Sequence, residues 1–427
     1  MDLVIAGGED TLLSSLTFDL PPSSSYISSR KNVSFFPSGA STYGPNGVRV
    51  MRFGIQGEGW LDPESLRICG KLANLSGTTA LQLADGPHSL IQRAKLSIGG
   101  QTVEDLDLYN RNHSIFRREL MSSNFRIDDA VESGLQKVAG GVVVGEQLAP
   151  SKFSRFNFAP LFGLCSAGRL LPIRLSGGLT IELTVADAAD SVIDGSSLSY
   201  ELQEMSIRCA VVRLDSALES SFANMLMQNK SLSLRFVTHS CQAMVLQPNS
   251  TEMSISLTRA YSRLNGLFIT FQGGAGSPAA NSHQCTSFLN PGQFDVGGVI
   301  AGTQTHSESL LSWDVQIGAT KWPESPAVGL PETFSLLRQA THTYDQSVRS
   351  LSITPQSYAT NSYIIGVGLQ TSEGAFSGYN TRSGDLLTVR CRNMATDPAV
   401  NAAGKVYVTM THEAICEISE GRVSVLD

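Results

Sequence analysis

Two short stretches of the sequence decide its fold: Lys95-Leu96-Ser97-Ile98-Gly99-Gly100 and Asp314-Val315-Gln316-Ile317-Gly318-Ala319. Each alternates apolar and polar residues as a half-buried strand does, and each ends in Ile-Gly followed by a small residue. A pattern typical of an amphipathic helix follows both stretches. Because they occupy matching places in two similar parts of the chain, we interpret them as an internal repeat.

Strand patterns of period two surround both stretches, and two helical patterns interrupt them. The strand patterns run through Met51 to Ile55, Leu66 to Leu72, Ala94 to Ile98, Leu179 to Val185, Met205 to Val211, Leu232 to Val237, Ser254 to Leu257, Leu267 to Phe271, Trp313 to Ile317, Tyr363 to Leu369, Leu387 to Cys391 and Val406 to Met410. The helical stripes are Leu106, Tyr109, His113, Phe116 and Leu120, and then Phe334, Leu337, Ala340 and Tyr344 after Pro331-Glu332.

These patterns predict an all-β chain of two domains, 47–213 and 231–427, joined by a helix at 214–230. Ser216-Ala217-Leu218-Glu219 fits a capping box at the start of that helix. Residues 1–46 are rich in Ser, Pro and Gly and predict an extended N-terminal arm with an amphipathic piece at Leu12 to Phe18. The Gly- and Ser-rich stretch 272–309 predicts a long exposed loop.

The composition excludes several classes of protein. Charged residues are only 16% of the chain and the net charge is -7, which argues against a protein that grips phosphate backbones. No Lys or Arg precedes Arg30, so a basic arm is absent from the start. We see no secretory signal, and the longest apolar run, Val138 to Val144, contains Gly140-Gly141. We therefore expect a soluble chain made inside a cell.

A search for catalytic, cofactor and metal sites finds none. The seven cysteines lack paired spacing and are interpreted as buried free thiols, and the histidines lie apart without metal-binding spacing. They are Cys69, Cys165, Cys209, Cys241, Cys285, Cys391 and Cys416, and His88, His113, His239, His283, His306, His342 and His412. The Asp128-Asp129 pair is expected on the surface. Phe153, Phe156, Phe158 and Phe162 are interpreted as apolar anchors that a loop docks into a core or a partner chain, and we predict no enzyme.

Four stretches resemble the double jelly-roll major capsid proteins of icosahedral DNA viruses. They are Tyr43-Gly44-Pro45-Asn46-Gly47 with the strand to Ile55 and Trp60-Leu61-Asp62-Pro63; Leu90 to Gly100 with Val103-Glu104; Leu170 to Leu175 with Leu179 to Val185; and Ser312 to Gly318 with Pro323, Pro326 and the Glu332 helix. The last is similar to capsid proteins of polinton-like viruses and adintoviruses. The resemblance spans most of residues 43–390.

The resemblance implies two eight-stranded antiparallel jelly rolls side by side, with three chains forming a pseudo-hexagonal capsomer that tiles an icosahedral shell. It implies neighbouring capsomers, penton proteins and minor capsid proteins as partners, and a place in the virion after assembly inside the host cell. It implies neither a cofactor nor sequence-specific binding of nucleic acid, and it leaves open an internal membrane beneath the shell.

Two alternatives stay open from the sequence. One is a single jelly-roll coat protein with a protruding domain, against which the repeat in both halves counts. The other is a two-domain β-sandwich carbohydrate hydrolase or lectin, which would need a concave site of aromatic residues and carboxylates. With only 3 Trp and 7% aromatic residues, the sequence supports it little.

Overall fold

The computed structural model describes residues 27–139, 142–228, 230–247, 250–273, 284–292, 299–300, 303–304, 310–343, 350–370, 377–382, 386–395, 403–419 and 422–426. We call residues 27–214 the first half and residues 232–426 the second half. The predicted amphipathic piece at Leu12 to Phe18 and the predicted helix residue Tyr344 lie outside the described ranges.

Strands dominate both halves. Those of the first half are β1 (Ile27–Phe35), β2 (Pro37–Ser38), β3 (Thr42–Tyr43), β4 (Val50–Ile55), β5 (Trp60–Asn74), β6 (Leu81–Gln82), β7 (Ile91–Ile98), β8 (Gln101–Leu106), β9 (Gln136–Ala139), β10 (Val142–Gly145), β11 (Gln147–Leu148), β12 (Phe153–Phe158), β13 (Leu171–Pro172), β14 (Leu179–Val185) and β15 (Tyr200–Leu214). Those of the second half are β16 (Leu232–Val245), β17 (Glu252–Leu257), β18 (Leu264–Gly273), β19 (Val299–Ile300), β20 (Thr303–Gln304), β21 (Ser312–Ile317), β22 (Thr320–Val328), β23 (Ile365–Gly368), β24 (Leu387–Arg392), β25 (Ala403–Ser419) and β26 (Arg422–Leu426).

The helices are short and lie between the strands. They are α1 (Tyr109–His113), α2 (Ser123–Ser133), α3 (Ala188–Ser191), α4 (Ser216–Met227), α5 (Gly329–Ala340) and α6 (Pro355–Thr360), with a π-helical turn at Ser114–Glu119 and 3-10 turns at Pro87–Leu90 and Gly163–Ser166. In the described part of the chain, none of them is long and apolar enough to cross a membrane.

Each half is a sandwich of two antiparallel sheets with the same strand order. The first half has sheets β1-β15-β5-β12 and β4-β14-β7-β8, and the second half has β16-β25-β18-β23 and β17-β24-β21-β22. We call the eight strands in these two sheets the main strands of each half. Counted in chain order, the main strands of both halves follow the order first-eighth-third-sixth in one sheet and second-seventh-fourth-fifth in the other. This order is that of a jelly roll, so the predicted pair of eight-stranded jelly rolls is confirmed.

The two repeated stretches, Lys95 to Gly100 and Asp314 to Ala319, occupy the same place in the two jelly rolls. Each forms the fourth main strand, β7 or β21, and its turn leads directly into the fifth. Gly99 and Gly100 have φ angles of 57° and 83°, and Gly318 has a φ of 59°. Two-residue hairpins favour this left-handed backbone, which glycine adopts without steric cost. The repeat therefore encodes the same hairpin twice.

The predicted arm at 1–46 differs from the structure, because β1, β2 and β3 all lie between residues 27 and 43. β1 pairs antiparallel with β15, from Ile27 opposite Leu214 to Phe35 opposite Ile207. Only Ser29, Val33 and Phe35 of this strand are partly buried, and its three serines with Arg30 and Lys31 hide the alternation. The first jelly roll therefore begins before residue 47.

Three local predictions also differ from the structure. The linking helix α4 is capped by Asp215, whose carboxylate accepts from the backbone N–H of Ala217, so no capping box forms at Ser216. Leu106 ends β8 rather than starting a helix. The four phenylalanines lie on and after strand β12, where Phe156, Phe158 and Phe162 are buried and Phe153 is 60% exposed.

The predicted exposed loop 272–309 falls mostly outside the described residues. Its described portion at 284–292 is packed into the protein, because Cys285, Phe288 and Leu289 are buried. Gln272 belongs to β18, the third main strand of the second half.

The two jelly rolls stand side by side with the same ends together. At one end, the backbone N–H of Ser352 donates to the Met121 carbonyl at 2.9 Å, and the Gln284 amide donates to the Val192 carbonyl at 2.7 Å. Each of these hydrogen bonds joins a loop between strands of one half to a loop between strands of the other half. At the opposite end, β26 packs against β8.

The second half completes the core of the first. β16 and β25 extend beyond their own sandwich, and the residues at that end of the sheet lie in the hydrophobic core of the first half. They are Leu234, Phe236, Ala414, Cys416 and Ile418, with Val423 and Val425 of β26 packed beside them. The halves are therefore not separate in their packing, although their strand orders match.

Because Ile418 is fully buried in this shared core, we expect its truncation to lower the stability of the protein. Ile418→Ala should lower the free energy of unfolding by about 3 kcal/mol, because it opens a cavity in the first half. Urea unfolding measures the change. Ile415→Ala on the same strand is the control, since Ile415 is only half-buried and should cost less than about 1.5 kcal/mol. Equal losses in the two variants would contradict the assignment of Ile418 to the shared core.

Candidate functional site: the joint between the two halves

The interface between the two halves contains buried polar side chains that form hydrogen bonds from one half to the other. We call residues Tyr109–Glu119, which comprise α1 and the π-helical turn, the joint segment. It belongs to the first half in sequence, but Ile115 lies in the hydrophobic core of the second half. Phe116 packs edge-on against Phe268 of that half at 5.1 Å between ring centroids. The joint segment thus fixes the two jelly rolls to each other.

Arg111 is the central residue of the joint, and its buried guanidinium has no carboxylate partner among the residues that the structure describes. It is 1% exposed. Nε donates to the Thr270 hydroxyl, and the two terminal nitrogens donate to the carbonyls of Cys285, Ser287 and Phe271, each at 3.0 Å. Four acceptors therefore hold one cation.

Two aromatic rings stack on the same guanidinium. Its central carbon lies 4.8 Å from the ring centroid of Phe288 and 4.2 Å from that of Tyr407. Burial lowers the pKa of Arg111, and the rings and carbonyls offset part of that cost by facing it with negative charge. This site binds a side chain of its own chain, so its role is structural.

Glu104 forms a second polar contact across the joint. One carboxylate oxygen accepts from the Gly163 N–H at 2.9 Å and the Thr238 hydroxyl at 2.8 Å, and the other accepts from the Leu164 N–H at 2.8 Å. Thr238 belongs to the second half and the other residues to the first. Burial raises the pKa of Glu104 to about 7, against the opposing effect of these hydrogen bonds.

The backbones of the two halves come close beside Glu104. A Cβ atom on Gly163 would lie 1.9 Å from the Val237 carbonyl oxygen, which only glycine avoids. Two further contacts cross the joint: the Thr409 hydroxyl donates to Asn112 at 2.8 Å, and the rings of Phe116 and His239 stack at 3.9 Å. The joint is therefore closely packed.

A buried polar cluster lies in the first half beneath the joint segment. The Asp85 carboxylate accepts hydrogen bonds from Gln136 at 3.0 Å and Ser114 at 3.2 Å, and it forms ion pairs with Arg118 and His88. Although burial opposes ionisation, Arg118 and His88 hold the pKa of Asp85 well below its usual range. The cluster therefore anchors one face of the joint segment.

The predicted separation of the histidines is wrong for one pair. The fold stacks His88 on His113, with ring centroids 4.2 Å apart. His283 and His306 lie outside the described residues. Among the residues that are described, no group of three His, Cys, Asp or Glu side chains could hold a metal ion. The prediction for Asp129 is also wrong, because the side chain is half-buried beside this cluster and burial raises its pKa.

All seven cysteines are buried, and none forms a disulfide. Burial raises the pKa of their thiols; that of Cys209 rises to about 12 and that of Cys241 to about 11. Thiols of this kind are poor nucleophiles at neutral pH, because the reactive thiolate is scarcely populated.

A cavity of about 250 Å³ opens between the halves near Arg111. Its walls include Asp190, Lys405, Gln272 and Tyr407. Of the described residues that line this cavity, Asp190 is the one carboxylate, whereas hydrolysis of a glycosidic bond needs two carboxyl groups facing each other. The cavity therefore does not fit the hydrolase alternative.

The sequence did not reveal the joint residues. Arg111 contacts residues 159 to 176 positions away in the chain, and its acceptors are mostly backbone carbonyls, which leave no sequence signature. Asp85 and His88 are spaced as an acid–histidine pair three residues apart, which was a visible signal. Their partner His113 could be placed only by the fold.

No family model matches the sequence, and no curated protein matches it. Among solved structures, the chain is similar to PBCV-1 VP54, in a crystal structure fitted into a cryo-EM reconstruction of the virophage Sputnik. The TM-score is 0.61 at 15% sequence identity, over 96% of this chain and 99% of that chain. It is similar to the Faustovirus major capsid protein with a TM-score of 0.61 at 7% identity, over 96% and 93% of the two chains.

The mavirus major capsid protein is also similar, with a TM-score of 0.50 at 8% identity, over 100% of this chain and 95% of that chain. At these identities the likeness shows the fold alone. The chain therefore has the double jelly-roll fold, in the form found in major capsid proteins of large DNA viruses and virophages.

Proposed function

We propose that this chain is a structural major capsid protein rather than an enzyme. One observation carries the proposal: two jelly rolls of identical strand order stand side by side in one chain, joined through a closely packed interface. The solved structures that are similar to nearly the whole chain include the PBCV-1 virus capsid and the major capsid proteins of Faustovirus and mavirus. Their similarity supports a place in the virion shell.

In this proposal, three chains form a pseudo-hexagonal capsomer. Each chain supplies two similar lobes, so threefold cyclic symmetry places six lobes in a ring and closes the interface. Such a ring tiles a surface alongside neighbouring capsomers, and penton and minor capsid proteins would fill the remaining positions. The net charge of -7 suits a shell that leaves the genome to other proteins or to an internal membrane.

The two alternatives receive no support from the fold. A single jelly-roll coat protein would have one eight-stranded sandwich, whereas both halves of this chain have one. A carbohydrate hydrolase or lectin would need paired carboxylates or an aromatic platform, and the described walls of the cavity between the halves offer Asp190 as their single carboxylate.

The solution mass of the purified chain tests the proposal. Light scattering should give a species of about three times the 45.7 kDa chain mass, and negative-stain images of the same fraction should show a hexagonal outline. A monomer at micromolar concentration would contradict the proposal and favour a ligand screen. Particles built on dimers or pentamers would contradict the trimer and favour a different coat architecture.

A further inference from the structure

The joint segment has two faces that bind different halves of the protein. Arg111 and Asn112 bind the second half, and Ile115 lies in its core. Between them, His113 and Ser114 face the first half: His113 contacts the Ala159 carbonyl, and Ser114 donates to Asp85. A change at His113 therefore acts on the segment that holds the halves together.

The surroundings of His113 favour the neutral form of its imidazole ring. Its side chain is 2% exposed, and its Nε2 donates to the Ala159 carbonyl at 3.1 Å. A carbonyl only accepts, so Nε2 carries the proton and Nδ1 is the acceptor. Among the described residues, Nδ1 has no hydrogen-bond partner. A second proton would therefore place a buried N–H donor where the protein supplies no acceptor, which is costly.

Charged groups of both signs surround His113: the arginines oppose a positive charge on its ring, the Asp85 carboxylate favours one, and burial outweighs that carboxylate. From its own segment, Arg117 and Arg118 face the same small cavity, and from other elements Arg126, Asp85 and Asp129 do so. His88 stacks on the ring from above, Phe158 packs its ring edge-on at 5.9 Å, and Tyr109 is tilted against it at 5.6 Å. The cavity has a volume of about 10 Å³, which accommodates at most one water.

We propose that the His88–His113 stack is an acid-sensitive latch of the joint: protonation of His113 releases the joint segment from the first half, and Arg111 then loses its fixed position in the second half. This inference does not depend on the proposed capsid function, because it concerns the attachment of the two jelly rolls within one chain.

The direction of the pH dependence follows from the surroundings of His113. Burial, His88 and Arg117 lower the pKa of His113 well below 6.5. In the unfolded chain this histidine takes up a proton near pH 6.5, whereas in the folded chain it does not. Stability that depends on neutral His113 is thus complete above pH 6.5 and is lost as the pH falls below it.

Hydrogen exchange of the wild-type protein tests the latch directly. After correction for intrinsic exchange rates, backbone amides of residues 111–116 should exchange up to about tenfold faster at pH 5.5 than at pH 7.5, the limit for one proton taken up near pH 6.5. Amides of β14, in the middle of a sheet, should keep their protection. Unchanged protection of residues 111–116 at pH 5.5 would overturn the proposal, and this experiment needs no variant.

A pair of matched variants tests the role of the imidazole. In His113→Gln, the amide can still donate to Ala159 but cannot titrate. Between pH 6 and pH 5, the unfolding equilibrium constant of the wild type should rise about eightfold more than that of His113→Gln, because one histidine with an unfolded pKa near 6.5 takes up its proton over this range. His342→Gln is the control, because His342 is exposed and its variant should follow the wild type.

Other buried titratable groups contribute equally to the wild type and the variant. The pKa values of His239 and His412 are lowered to about 3 and about 4 by burial, and that of Glu104 is raised to about 7. Their contributions cancel in the difference between the two proteins. Parallel pH profiles for wild type and His113→Gln would therefore overturn the latch at His113.

Discussion

Arg111→Met should lower the free energy of unfolding by about 5 kcal/mol, the largest effect that we expect from a single side chain. The substitution keeps much of the volume but removes the donors for the Thr270 hydroxyl and for three carbonyls in the second half. Hydrogen bonds to a charged group each contribute about 1.5–3 kcal/mol, and buried carbonyls left without a donor cost more. Relief from burying the charge offsets part of this loss.

Denaturant unfolding of the variant and the wild type measures this effect. Arg93→Met is the matched control, since Arg93 is 52% exposed and pairs with Asp105 on the surface of the first half. A surface ion pair contributes at most about 1 kcal/mol, so this variant should unfold near the wild type. A loss for Arg111→Met no greater than that for Arg93→Met would contradict the central role of Arg111 in the joint.

Gly163→Ala should destabilise the protein by about 3 kcal/mol or more through a clash at the joint. The added methyl group would lie 1.9 Å from the carbonyl oxygen of Val237, which is backbone of the second half. Because a backbone atom cannot turn aside as a flexible side chain does, the two halves must separate locally. That separation would also stretch the hydrogen bond from Gly163 to Glu104.

Gly54→Ala provides the control for the glycine substitution. Gly54 lies on β4, and a Cβ atom there would meet no atom within 4 Å. This variant should be neutral or slightly stabilising, because alanine loses less backbone entropy on folding than glycine. Thermal unfolding of the two variants compares them. A Gly163→Ala protein as stable as Gly54→Ala would show that the joint can widen without cost.

The hairpins of the jelly rolls could be predicted because their signals are local. In β7 and β21, alternating side chains, a terminal isoleucine and a left-handed glycine lie within six residues of one another. β1 was missed for the opposite reason. Its outer face is rich in Ser, Arg and Lys, and pairing with β15, far along the chain, makes it a strand.

The joint could not be predicted because its chemistry depends on long-range contacts. Thr409 and Asn112 are 297 residues apart in the chain, and neither has a distinctive sequence context. The side chain of Glu104 gave no sign of burial either, since an isolated glutamate in a strand usually faces solvent. The sequence therefore predicted the repeated fold and left out the contacts that attach its two copies.

The core shared by the two halves has a consequence for how the protein is made. A ribosome releases the strands of the first jelly roll long before residues 414–418 and β26, which close its core, have been synthesised. Domains usually fold in order from the N-terminus, but here the first cannot mature before the last. A chain that is cut short before residue 414 therefore keeps an open apolar surface on its first half.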